Sequence, residues 1–151
     1  MQPENELNSS KNYTLADVIY NKLKHTVFVY GTLRPRYTNY EYFGEGVNHV
    51  GSGTIKGILL DLGGVPGVVE VGKVDTTVKG DLLEVSEKVL TYFDRYEGEG
   101  ALYKRIHTDV TLENGTKINA WVYEFMDFGV RWLIIKNGEW DGAQPIHISQ
   151  K

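Results

Sequence analysis

The sequence predicts an α+β domain built on a small, mostly antiparallel, barrel-like sheet with flanking helices. Three observations carry that expectation. Strand-like segments outnumber helical ones and show no regular βαβ alternation. Asn114-Gly115 stands between two extended stretches, a hairpin signal of the type I′ kind. Gly51, Gly53 and Gly57 interrupt one strand-like segment, as glycines do where a barrel sheet bulges or bends. A chain of 151 residues fits one domain with a real core.

In chain order, residues 1–12 are polar and read as a disordered tail. Within an N-terminal segment 13–25, Thr14 is an N-cap with Asp17 at the capping-box position, and Leu15, Val18, Ile19 and Leu23 follow at helical spacing, so a helix is expected over about 15–24. The main domain then runs from 26 to 145. Val27 to Tyr30 reads as a short buried strand. Pro35 to Gly46, rich in Tyr, Asn and Gly, reads as a loop with a short helix. Val50 to Asp61 is strand-like, Leu62 to Gly67 a turn, and Val68–Val71 and Val78–Val85 two further strands. Ser86 N-caps a helix with Val89, Leu90, Phe93 and Tyr96 on one face, and Gly98 stands where a C′ glycine ends it. Tyr103–Leu112 and Thr116–Phe125 form the hairpin. Trp132–Ile135 is a short helix or a strand leading into the turn Asn137-Gly138-Glu139-Trp140.

Composition excludes several classes. The formal net charge of −4 lacks the basic footprint of a nucleic-acid binder. Without cysteine there are no disulfides, thiolate nucleophiles or cysteine metal sites, and a reducing, cytoplasmic setting is expected. The beginning of the chain shows no signal-peptide pattern, and no apolar run approaches the ~18 residues of a membrane span. His25, His49, His107 and His147 lack metal-ligand spacing, so neither a metal nor a cofactor is expected.

Two segments carry chemistry. Tyr30-Gly31-Thr32-Leu33 leaves a buried strand as a loop whose N–H groups can cradle an anion, with Gly31 permitting positive φ and close approach of a ligand. Glu97 ends the amphipathic helix, where the negative end of the helix dipole and apolar neighbours raise a carboxyl pKa, while Arg105 within ion-pair distance would oppose them. Each has a plainer reading: a turn that contains Gly and Thr, and a solvated helix-end carboxylate with Glu99 as a rival. Arg34 is a candidate for the pocket rim, as are Tyr103 and Arg105 from one strand face. Tyr123 is either a pocket residue or a core aromatic with its hydroxyl bonded locally.

Val27-Phe28-Val29-Tyr30-Gly31-Thr32-Leu33-Arg34 resembles the signature of the gamma-glutamyl cyclotransferase-like superfamily, closest to the gamma-glutamylamine cyclotransferase and avirulence-induced-protein branch. Pro66-Gly67-Val68-Val69, Gly80 to Val85, Leu90 to Gly98, Tyr103-Lys104-Arg105, Ala120 to Tyr123 and Asn137 to Trp140 follow in the family's order, so the likeness spans about residues 26–141. Arg36 departs from it, standing where a glycine is common, and the segment to Gly46 is unusually rich in tyrosine. The resemblance implies a small barrel with flanking helices, a substrate loop at Tyr30, Gly31, Thr32 and Leu33, and a catalytic Glu97. It also implies a small-molecule gamma-glutamyl substrate and release of 5-oxoproline. In that reaction the substrate's own α-amine attacks its γ-carbonyl, so the enzyme supplies no nucleophile. Holding the chain folded is worth ~7–11 kcal/mol, and one carboxylate moving both protons adds ~10²–10⁴-fold. Two rivals stand beside this reading. One is a non-catalytic module that keeps the carboxylate pocket; the other is an interaction domain using the Arg/Tyr stretch around Arg34, Arg36, Tyr37 and Tyr40.

Overall fold

The computed structural model describes residues 22–126 and 129–142, together with Leu15. The order of elements is β1 (Leu23–Val29), a 3-10 helix (Tyr40–Gly46), β2 (Val47–Lys56), β3 (Ile58–Asp61), β4 (Pro66–Val69), β5 (Thr77–Ser86), α1 (Glu87–Glu97), β6 (Tyr103–Leu112), β7 (Lys117–Phe125) and β8 (Leu133–Ile134). The sheet order is β1-β5-β2-β6-β7-β4-β3-β8, and β1 also pairs with β7. Five strands therefore close on themselves. Four of the five seams are antiparallel and the closing one, at Val27 and Trp121, is parallel. The expected α+β fold with a small barrel is the observed one.

Alternation along β1 explains how the barrel and its helix share a wall. Phe28 and Tyr30 pack into one apolar cluster with Val78, Leu82, Val110 and Val122. Val27 and Val29, pointing the other way, join Leu83, Val85, Val89, Leu90 and Phe93 beneath α1. Over Val27–Val29 of β1 and Leu82–Leu83 of β5 both faces are buried, so apolar residues there stand side by side in sequence. Ser86 Oγ accepts the Val89 N–H at 3.2 Å, which starts α1 where the sequence places it.

Three expectations need correction, and one open choice is decided. The helix over 15–24 and the tail 1–12 fall mostly outside the described residues, but Leu23 and Lys24 belong to β1. The segment 50–61 is two strands, because at Gly57 the chain leaves the β5 ladder and donates to Thr76 O at 2.9 Å. The β6–β7 connection is not type I′. Gly115 has positive φ and Asn114 does not, and Gly115 N–H donates to Leu112 O at 2.9 Å in a longer loop. Of the two readings of 132–135, the strand is observed, with Leu60 paired to Ile134.

Gly80 lies where two barrel strands leave no room for a side chain. A Cβ there would lie 2.3 Å from Val29 O and 2.6 Å from Phe28 Cζ. Backbone cannot yield as a flexible side-chain end can, so Gly80→Ala is expected to destabilise by at least about 2 kcal/mol, which denaturant unfolding measures. A loss below about 0.5 kcal/mol would show that this contact is not tight.

Candidate active site

β1 ends at Val29, and the next four residues form the loop. Tyr30 is buried, and its hydroxyl donates to Tyr123 O at 2.7 Å and accepts the Val68 N–H at 3.2 Å. One phenol thus ties the loop to β7 and β4. Gly31 is not at positive φ. Its small size serves a different contact: a Cβ would stand 2.8 Å from Pro66 Cγ, so the loop lies against the Pro66 ring.

The loop carbonyls are tied down in sequence. Gly31 O accepts the Arg34 N–H at 2.9 Å, Thr32 O accepts the Thr38 hydroxyl, and Leu33 O accepts the Tyr40 hydroxyl. A carbonyl and the next N–H point opposite ways across a trans peptide. Anchoring the first two carbonyls therefore turns the N–H groups of Thr32 and Leu33 to the other side of the loop.

Glu97 arrives from α1. Leu90 and Phe93 hold the helix on the sheet, and Gly98 at φ 63° ends it. The Gly98 N–H donates to Arg95 O at 3.2 Å and the Glu99 N–H to Asp94 O at 2.9 Å, the paired bonds of a Schellman motif. This fixes the last helical residue relative to the barrel.

The two segments meet in one cavity of about 210 Å³. Tyr30, Gly31, Thr32 and Leu33 line it together with Glu97, Tyr103 and Tyr123. Burial pushes the Glu97 carboxyl from an ordinary 4.5 up to about 7. The end of the helix dipole acts in the same direction. Burial also pushes the hydroxyls of Tyr30, Tyr103 and Tyr123 far above the phenol range, and the Glu97 charge adds to each. Their protons are committed: Tyr103 donates to Pro66 O at 2.8 Å and Tyr123 to Asp94 Oδ1 at 2.6 Å. Glu97 is thus the group in the cavity that titrates near neutrality.

Two candidate rim residues lie elsewhere. Arg34 is buried away from the cavity, its Nε 2.7 Å from Asp81 Oδ2 and its Nη1 3.1 Å from Glu139 Oε2. Arg105 does not oppose Glu97. It pairs with Asp94 at 3.1 Å and stacks on Trp121, which in turn stacks on His107. Glu99 is exposed, and its Oε2 accepts the Arg105 N–H at 3.4 Å. Sequence reasoning missed Pro66 as a site residue, although the Gly/Pro turn was visible. It also placed Tyr96 on the packed helix face. The ring is 51% exposed, lines the cavity, and brings its hydroxyl 2.7 Å from Thr32 Oγ1. Among the described residues no group of three or more His, Cys, Asp or Glu could hold a metal ion, and no helix is long and apolar enough to cross a membrane.

Comparison with known proteins agrees with this fold. Residues 27–142 match the family model described as "Gamma-glutamyl cyclotransferase, AIG2-like". A protein of Methanocaldococcus jannaschii, provisionally named a gamma-glutamylcyclotransferase, is 36% identical over 98 residues, which is 64% of this chain and 81% of that protein. The gamma-L-glutamyl-butirosin B gamma-glutamyl cyclotransferase of Niallia circulans is 35% identical over 106 residues, 66% of this chain and 65% of that protein. Among solved structures, an AIG2-like protein from Mus musculus has the same fold, with a TM-score of 0.67 at 24% identity, covering 82% of this chain and 94% of that one.

Proposed function

The chain belongs to the gamma-glutamyl cyclotransferase, AIG2-like family, and from that premise we propose that it releases 5-oxoproline from a gamma-glutamyl amide, with Glu97 as its acid and base. The supporting observation is the half-buried Glu97 carboxyl, pushed up to about 7 by loss of solvent, in one cavity with the Tyr30–Leu33 loop. The name of the Niallia circulans relative, a cyclotransferase of a gamma-glutamyl compound, supports the same substrate class.

The substrate's α-amine nitrogen bonds to its γ-carbonyl carbon and gives a proton to the Glu97 carboxylate. The bond from that carbon to the departing nitrogen then breaks, and Glu97 returns the proton to that nitrogen. The products are 5-oxoproline and a free amine. The Thr32 and Leu33 N–H groups serve the substrate α-carboxylate or the transient oxyanion, a role worth about 10²–10³-fold per donor in other acyl transfers. A pKa near the working pH lets one group take and return the proton efficiently.

A base must be ionised to act. The value of kcat/KM is therefore expected to rise through about pH 7 as Glu97 loses its proton. The test is 5-oxoproline release from a panel of gamma-glutamyl amides and peptides between about pH 5 and 9. A limb that stays near 7 for substrates whose amines differ in basicity belongs to the enzyme. A profile that follows only the substrate amine would remove Glu97 from the mechanism.

A further inference from the structure

The cavity is small for the whole of such a substrate. Its volume of about 210 Å³ falls below the roughly 300–1,000 Å³ of sites that enclose drug-sized ligands. It suits a folded gamma-glutamyl group, so the departing amine must extend out of it. The way out passes Thr32, Leu33 and Tyr96, which also line a second, open groove of about 570 Å³.

Part of that groove's wall is made of aromatic rings that lie outside the core. Tyr42 is 88% exposed, and Tyr92 and Tyr96 are 45% and 51% exposed. They form a connected surface: Phe43 meets Tyr92 edge-on at 5.1 Å, and Tyr92 stacks on Tyr96 at 6.5 Å. A contiguous exposed aromatic face is uncommon and marks a binding surface more often than it occurs idly. Among the described residues the groove has a single charged residue in its lining, Asp141, which also interacts within the protein. The exposed Tyr42, Tyr92 and Tyr96 rings offer a neutral ring offset and edge contacts.

Resting on the reading of the cavity given above, we propose that this groove is the leaving-group subsite and that it selects gamma-glutamyl amides of arylalkylamines, in which a short alkyl spacer carries a neutral aromatic ring. Tyr92 and Tyr42 are specificity residues, remote from the reacting bonds.

The experiment compares gamma-glutamyl-phenethylamide, gamma-glutamyl-ethylamide and a gamma-glutamyl amide with a terminal ammonium. In the wild-type protein the phenethylamide is expected to have at least about tenfold higher kcat/KM than the ethylamide. Tyr92→Ala and Tyr42→Ala should reduce that ratio several-fold and leave ethylamide turnover nearly unchanged. A ratio near one, a preference for the ammonium amide, or a ratio unaltered in both variants would overturn the proposal. Equilibrium binding of the same amides to the Glu97→Gln protein separates the two readings. Aryl-selective binding without turnover in the wild-type protein supports the groove and sinks the enzyme. Turnover without aryl selectivity does the reverse.

Discussion

Glu97→Gln is expected to lower kcat by about 10²–10⁴-fold, the usual worth of a positioned proton carrier, and to leave the protein folded. The glutamine keeps the shape of the side chain and cannot exchange a proton. Stability distinguishes loss of chemistry from loss of structure, because it should move the other way. The folded-state value of Glu97, about 7, lies above its ordinary 4.5. The folded protein therefore holds this proton more tightly than the unfolded chain. The resulting stabilisation is fully present below about pH 4.5 and is lost as pH rises through about 7. At 1.36 kcal/mol per unit the loss is on the order of 3 kcal/mol at most. E97Q carries no charge to bury and escapes that loss. Above pH 7 it is expected to unfold at higher denaturant concentration than the wild-type protein while being nearly inactive. Wild-type-like turnover in E97Q would remove the acid/base assignment. Inactivity with lowered stability at pH 8 would instead point to a disturbed fold.

What could be read in advance was local. Ser86, the apolar positions Val89, Leu90 and Phe93, and Gly98 each act within a turn or two of chain, so α1 and its end could be placed from sequence. The buried run before Tyr30 and the pairing of loop with Glu97 were likewise legible, the latter through the resemblance to a family. Tyr96 shows the limit. Helical spacing gives the direction of a side chain but not whether anything lies there to pack against, and beyond Phe93 the helix overhangs the cavity. Gly31 was read for its backbone freedom and is used for its size against Pro66, a residue far off in sequence. Arg34 followed the loop and so looked like part of its rim. Only the fold reveals that Asp81 of β5 and Glu139 near the end of the described chain draw it inward.

Arg34→Met is expected to be the most destabilising of the polar substitutions, by about 3–5 kcal/mol, the usual result of leaving one charge of a buried pair alone. The Arg34 and Asp81 side chains are 8% and 7% exposed, and Nε lies 2.7 Å from Oδ2. Asp81 Oδ1 also stands 3.0 Å from His49 Nε2 and 3.2 Å from Ser52 Oγ. Those neighbours are built around a carboxylate and do not replace the guanidinium. For a chain of this size the loss corresponds to a fall in Tm of roughly 10 °C. The effect should reach the cavity as well. Arg34 N–H donates to Gly31 O, and Arg34 O accepts the N–H groups of Tyr37 and Thr38 at 2.8 and 3.0 Å. Releasing its side chain loosens the frame that holds the loop carbonyls. A second substitution tests the cause. Arg34→Met with Asp81→Leu removes both charges, and apolar replacement of a whole buried pair is often close to neutral. The double variant should therefore recover most of the lost stability. If Arg34→Met alone falls by less than about 1 kcal/mol, the pair behaves as an exposed ion pair does, and the loop is held by the Tyr40 and Thr38 hydroxyls without it.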